Sequence, residues 1–262
     1  MTKIRDILRG DKILIAAHCG DKKKYPQNVM EAFVSAIDFG ADMIETDIRM
    51  SGDGELVLIH DTNLIKTCGV DRDVTEMTLE EIKSVKKEGK YGIPTVRELM
   101  ELIKDKDILM NWEIKVWPQP MDDNMLLVSD KLVALIEEYG LAERSMISCF
   151  NNPVLDHIRK KHGMRYVLSS MGLGRCRRTN DSTEIPLEEL VDVACMYADQ
   201  SPASPIGHAD VFEYALSHGV IPQVCIADNE EDYRWAIAHG CKIFVSNDIY
   251  EADKILKKLR VR

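Results

Sequence analysis

The feature that most constrains this 262-residue chain is an alternation repeated eight times: a short aliphatic run followed by a stretch with helical periodicity. A short run rich in β-branched and aliphatic residues reads as a buried strand. The amphipathic stretch after it reads as the crossover that a parallel neighbour requires. The strand candidates are Ile13 to Ala17, Met43 to Ile48, Ile108 to Glu113, Ser145 to Cys149, Arg165 to Ser169, Val193 to Met196, Ile221 to Val224 and Lys242 to Val245. Helical periodicity is read at Asn28 to Phe39, Val96 to Ile103, Asp123 to Tyr139, Pro153 to His162, Ala209 to Ser217, Glu230 to Ala238 and Tyr250 to Leu259. Gly40 and Gly140 each close such a stretch, where a left-handed residue ends a helix most easily without a Cβ.

Eight such units in a chain of this length predict an α/β fold, the (β/α)8 TIM barrel, which commonly takes about 250 residues. The interval from Asp61 to Pro94 is too long for a barrel loop. With a hairpin at Leu56 to His60, a turn-rich stretch and a helix over Leu79 to Lys87, it reads as a small subdomain of about residues 62–93 inserted after the second strand. No Pro/Ser-rich linker, repeat or low-complexity run divides the chain, so residues 1–262 read as a single domain. Met171 to Glu184 reads as a longer irregular loop, with a short helix near Pro186 to Leu190.

A formal net charge of -10 with no basic stripe argues against nucleic acid as the main partner and favours a small molecule. Nowhere do about 18 apolar residues follow one another, and Met1 to Gly10 carries charges without an apolar run. Neither stable membrane insertion nor a signal peptide is read from that pattern. The seven cysteines contain no CxxC pair, which argues against a disulfide framework or a structural zinc site and suits a cytoplasmic address. Oligomeric state has no signature in the sequence.

In a barrel of this kind the carboxyl ends of the strands meet at one face. His18 ends the first strand, Glu45 and Asp47 lie at the end of the second, His60 follows the hairpin, and Glu113 and Lys115 end the third. Glu45 and Asp47 are two apart, so they face one space while Thr46 points away. Two carboxylates held together and partly removed from water repel unless a cation joins them. Oxygen donors favour a hard ion, Mg2+ or Ca2+, with Mn2+ as the alternative. The structural reading of the same residues is an ion pair between this carboxylate pair and Arg49 or Lys115. His18 and His60 are candidates for general acid and base, because imidazole titrates near neutral pH. The other five histidines read as surface or helix-end residues. Asn28, three before Glu31, reads as the N-cap of a capping box.

In order along the chain stand His18-Cys19-Gly20, Pro26-Gln27-Asn28-Val29, Ala32-Phe33, Gly40-Ala41-Asp42, Glu45-Thr46-Asp47, Asp53-Gly54 and His60-Asp61. Thr75 with Leu79 to Ile82, Ile93-Pro94-Thr95 and Glu113-Ile114-Lys115 continue the series; Ser148 to Phe150 and Val245 to Asp248 are fainter. This collinear set resembles the glycerophosphodiester phosphodiesterase family. The resemblance implies hydrolysis of a glycerophosphodiester to glycerol 3-phosphate and an alcohol. It further implies one divalent cation held by Glu45, Asp47 and Glu113, with His18 and His60 as acid and base and Lys115 neutralising the phosphate. A ligand-binding relative without turnover and a lyase-like enzyme releasing a cyclic phosphate are the alternatives on the same scaffold.

The chain departs from the family pattern twice. Cys19 stands where the family carries Arg, at a substrate-contacting position, and Gln27 stands where it carries Glu. Losing one charge-assisted hydrogen bond costs roughly 1.5 to 3 kcal/mol, or one to two orders of magnitude in rate. Lys22, Lys23 and Lys24 on the loop after the first strand, or Arg175, Arg177 and Arg178 on the loop after the fifth, could replace that charge; Lys23 and Arg175 are the substrate-binding candidates.

Overall fold

A computed structural model describes residues 3–115, 123–171, 186–196, 205–227 and 229–262. Its strands, in chain order, are β1 (Leu14–His18), β2 (Met43–Met50), β3 (Leu56–Leu58), β4 (Lys86–Lys87), β5 (Tyr91–Gly92), β6 (Leu109–Ile114), β7 (Ser145–Cys149), β8 (Val167–Ser170), β9 (Val193–Met196), β10 (Ile221–Cys225) and β11 (Ile243–Ser246). From β6 to β11 each strand pairs in parallel with the next, β11 pairs with β1, β1 with β2, and β2 with β6. These eight parallel strands close the barrel, and each lies within two residues of its sequence-predicted bounds. The short β3 pairs antiparallel to β2, through Ile48 and Leu58, and forms the return arm of the hairpin.

Why this sequence closes as it does is visible in the alternation along each strand. Leu14, Ala16, Met43, Leu109, Met146, Val167, Val193, Ile243 and Val245 form one apolar cluster inside the ring. The intervening residues, such as Ile15, Ile44, Met110 and Ile147, join a second and larger cluster with the helices outside it. A parallel strand buried on both faces needs apolar residues at both phases of its period-two pattern. The helix Lys3–Arg9, which the charged start of the chain did not suggest, places buried Ile4 and Leu8 in the inner cluster at the amino end of the strands.

Between β3 and the helix Val96–Ile103 the chain makes its long excursion. A small apolar cluster of its own, including Leu64, Val74, Met77, Ile82 and Ile93, packs beneath it. Its helix Leu79–Ser84 opens with a capping box between Thr78 and Glu81. That helix stops three residues short of the expected Lys87, because Lys86 and Lys87 leave it to pair with Gly92 and Tyr91 across a turn through Gly89 at φ 67°. Among the described residues no helix is long and apolar enough to cross a membrane.

Candidate functional site

The carboxyl end of the barrel is assembled by register. His18 is the parallel partner of Glu45, Glu45 of Asn111, and Asp47 of Glu113. Glu45 follows Met43 by two residues, so it projects into the same interior, and Asp47 follows it one step nearer the rim. Glu45, Asp47 and Glu113 each offer an oxygen, and these oxygens lie within 4.8 Å of one another. All three residues are buried, at 1, 1 and 3% exposure. Lys115 Nζ reaches into the group, 2.6 Å from Glu113 Oε1 and 3.2 Å from Asp47 Oδ1.

Burial and the neighbouring Asp47 and Glu113 raise the Glu45 pKa well above the ordinary carboxylate value. Burial raises Glu113 too, against the pull of Lys115. Asp47 moves down instead: burial is outweighed by Lys115, His60 and hydrogen bonds from Asn28 and Cys19. A buried carboxylate cluster with one member ionised and another held neutral is short of positive charge. Among the described residues, Glu45 Oε1, Asp47 Oδ1 and Glu113 Oε1 are buried without a hydrogen-bond partner, the latter two lying against the Lys115 ammonium. These donors therefore fit a hard divalent cation.

His18 Nδ1 donates to Asn247 Oδ1 at 2.7 Å, which leaves Nε2 with its lone pair on the Glu45 side, 3.9 Å from Oε2. Burial, together with the nearby Lys22 charge, lowers the His18 pKa to about 4. The imidazole is thus neutral at physiological pH. His60 is placed by the backbone: Ile59 donates to the Asp47 carbonyl, and Arg49 holds the His60 and Lys115 carbonyls at 2.8 and 2.9 Å. The His60 ring pairs through Nδ1 with Asp61 at 2.8 Å and is half-exposed at the rim. Arg49 thus serves two carbonyls, and Lys115 is the ion-pair partner of Asp47 and Glu113.

Cys19 lies at the centre of the group, fully buried at φ 55°. Its N–H donates to Glu45 Oε2 at 3.0 Å, and its thiol donates to Asp47 Oδ2 at 3.1 Å. The tight turn is completed by Gly20 at φ 87°, where a Cβ would meet that of Ala32 at 2.8 Å. Of the lysine cluster it is Lys22 that reaches the site, 3.3 Å from His18 Nδ1. Lys23 pairs with Asp248 at 2.8 Å, one residue beyond Asn247. Arg175, Arg177 and Arg178 lie outside the described residues.

One expectation is corrected. Asn28 does not cap the helix Met30–Phe39; the capping position falls to Val29, with no side-chain hydrogen bond. Asn28 stands at φ 53° and turns inward, donating through Nδ2 to Asp47 Oδ2 at 2.7 Å and accepting from Thr46 Oγ1 at 2.8 Å. Holding a buried carboxylate outweighs capping a helix end that water can reach. Lys87, from the excursion, was not foreseen either. Its buried ammonium donates to the carbonyls of Gln27 and Asn28 at 2.8 and 3.0 Å, and burial lowers its pKa to about 8. The signal for Asn28 was its place in Pro26-Gln27-Asn28; that for Asn247 was its place just beyond the last strand.

The carboxyl rim of this barrel gathers three carboxylates, the His18 and His60 imidazoles and Lys115. The profile of the Glycerophosphoryl diester phosphodiesterase family matches residues 18–251, and the chain belongs to that family. It is 40% identical over 160 residues to a glycerophosphodiester phosphodiesterase of Caldanaerobacter subterraneus subsp. tengcongensis, covering 57% of this chain and 63% of that relative's length. The fold is shared with a Silicibacter pomeroyi protein assigned as a glycerophosphoryl diester phosphodiesterase, with a TM-score of 0.83 at 20% identity over 99% of both chains. It is shared also with an Oleispira antarctica phosphodiesterase in complex with the product sn-glycerol-3-phosphate, with a TM-score of 0.77 at 17% identity over 93% of this chain and 96% of that one.

Proposed function

We propose that this chain hydrolyses glycerophosphodiesters to glycerol 3-phosphate and an alcohol, as a single catalytic domain in which residues 62–93 form an inserted subdomain. The observation that carries the reading is the convergence of Glu45, Asp47 and Glu113 beside His18 at the barrel's carboxyl rim. Membership of the family and the product-bound Oleispira antarctica neighbour support it. Glu45, Asp47 and Glu113 would hold a divalent cation, Mg2+ or Ca2+ with Mn2+ as the alternative; when bound it would polarise a phosphoryl oxygen. The cytoplasmic address suggested by cysteines scattered without a CxxC pair belongs to the same proposal.

The chain's own residues divide the remaining work. His18 Nε2, neutral and fixed by Asn247, accepts the proton of the attacking oxygen, whether the substrate's neighbouring hydroxyl or water. His60, oriented by Asp61, returns a proton to the departing alkoxide. Lys115 and Lys22 neutralise phosphate charge from two sides, with Lys23 further out and Cys19 beneath; Arg175, outside the described residues, is the remaining substrate-binding candidate. Asn28 holds Asp47 in position.

The test is to strip the protein of metal, supply several glycerophosphodiesters, and add Mg2+, Ca2+ or Mn2+ separately. Metal-dependent release of glycerol 3-phosphate is expected. His18→Ala or His60→Ala should reduce it by roughly two to four orders of magnitude. Unchanged turnover in both variants would refute the acid and base assignment. A cyclic phosphate as sole product would replace hydrolysis with a lyase reaction.

A further inference from the structure

Glu45 belongs to two groups of side chains at once. One is the oxygen triad with Asp47 and Glu113. The other brings together the His18 imidazole, the Cys19 thiol and the same Glu45, again with one ligand atom from each within 4.8 Å of the others. The two groups differ in how their charge is met. Lys115 already lies against Asp47 and Glu113 in the first, whereas in the second its nearest counterpart, Lys22, sits at the far ring nitrogen of His18.

The spacing in the second group is that of ligands sharing an ion. Cys19 Sγ lies 3.6 Å and His18 Nε2 3.9 Å from Glu45 Oε2. Sulfur at about 2.3 Å and oxygen at about 2.1 Å from a tetrahedral ion stand roughly 3.6 Å apart, and nitrogen and oxygen roughly 3.4 Å apart. Little movement is needed. One further observation points to a ligand there. Asn247 Oδ1 can only accept, so it fixes the His18 proton on Nδ1 and leaves Nε2 as a donor of electrons, the arrangement of a metal-ligating imidazole with its outer partner.

We propose that His18, Cys19 and Glu45 form a site for a borderline-soft divalent cation of the zinc class, adjoining the oxygen triad through Glu45. Thiolate and imidazole select such ions over Mg2+ and Ca2+. On binding, the Sγ–H bond of Cys19 breaks, a sulfur–metal bond forms and the proton leaves to solvent, with no change in oxidation state. Asp47 Oδ2, 3.1 Å from the sulfur, is close enough to complete the ligand set. An ion held there takes the His18 Nε2 lone pair, so it withdraws that imidazole from proton transfer. The proposal goes beyond the phosphodiesterase reading and does not require it.

The test uses chelator-stripped full-length protein titrated with Co2+. A thiolate-to-cobalt charge-transfer band in the near ultraviolet is expected in the wild type and absent from Cys19→Ser, and calorimetry should show Zn2+ binding at least ten-fold weaker in that variant. Because Cys19 occupies a left-handed position, its replacement could disturb folding. Cadmium-113 NMR of the wild type therefore asks the same question without a variant, and a shift typical of one sulfur with nitrogen and oxygen ligands is expected. No cobalt band in the wild type, a band that survives in Cys19→Ser, or an oxygen-only cadmium shift would each overturn the site. Diester turnover with Mg2+, measured separately, keeps failure of this site distinct from failure of the enzymatic reading.

Discussion

The two ends of the barrel interior are built from the same strands in the same phase, yet they have opposite chemistry. At the amino end Leu14, Met43, Leu109 and Met146 meet Ile4 and Leu8 of the first helix in a dry cluster. Two to four residues further along those strands stand the partly buried His18 and the buried carboxyls of Glu45, Asp47 and Glu113. Neutral Asn111, Ser148 and Gln223 lie along the way. Period-two alternation sends all of these side chains inward, so residue type alone decides which end stabilises and which can do chemistry. The charged end is a net burden on folding, because unpaired carboxylates are costly to bury.

That contrast can be broken at either end. The largest effect is expected from Glu45→Gln, which should lower diester turnover by about three orders of magnitude. Its melting temperature should hold or rise, since an uncharged amide replaces a carboxyl group whose ionisation burial and its neighbours already oppose; a large fall in stability would erase the distinction between the ends. Met43→Ala, on the same strand two residues earlier, should do the reverse. It should destabilise by about 3 kcal/mol in denaturant titration, through lost packing and a cavity, while turnover per folded molecule stays near wild type.

A pH titration sharpens the comparison. His18 in the folded chain is held near 4, below its ordinary value of 6.5. The unfolded chain takes up this proton first as pH falls, so the group's contribution to stability is fully present above about 6.5 and is lost as pH falls toward and through 4. The His18 imidazole signal in NMR should accordingly titrate near 4, and a midpoint near 6.5 would mean that the rim is wetter than its geometry implies. The smallest effect is expected from Lys23→Ala. Exposed and paired to Asp248, Lys23 should change KM by a factor of about five or less, most visibly at low salt.

The barrel strands were legible because aliphatic runs bounded by turns need only local reading, and even Val193–Met196, the weakest of the eight runs, forms its strand after a short helix. Glu45 and Asp47 were legible for a related reason: a spacing of two on a strand fixes a common side. Asn28 was misread because its role depends on a left-handed backbone and on a carboxylate 19 residues away, neither of which a capping pattern encodes. Lys22 and Asn247 were named only within the lysine cluster and the faint closing motif, and Lys87 only as the end of a helix, because each acts through closure of the ring or the folding back of the excursion. A lysine followed by Glu88 and Gly89 looks the same in sequence whether it is solvated or buried against carbonyls.

The buried ammonium of Lys87 makes the excursion a strut under the turn that carries Asn28, and not a detachable ornament on the barrel. Trimming residues 62–93 to a plain connection would leave two inward carbonyls without their donor and free a left-handed residue to relax. The amide now fastened to Asp47 would then swing loose, although no atom of the barrel itself had been touched.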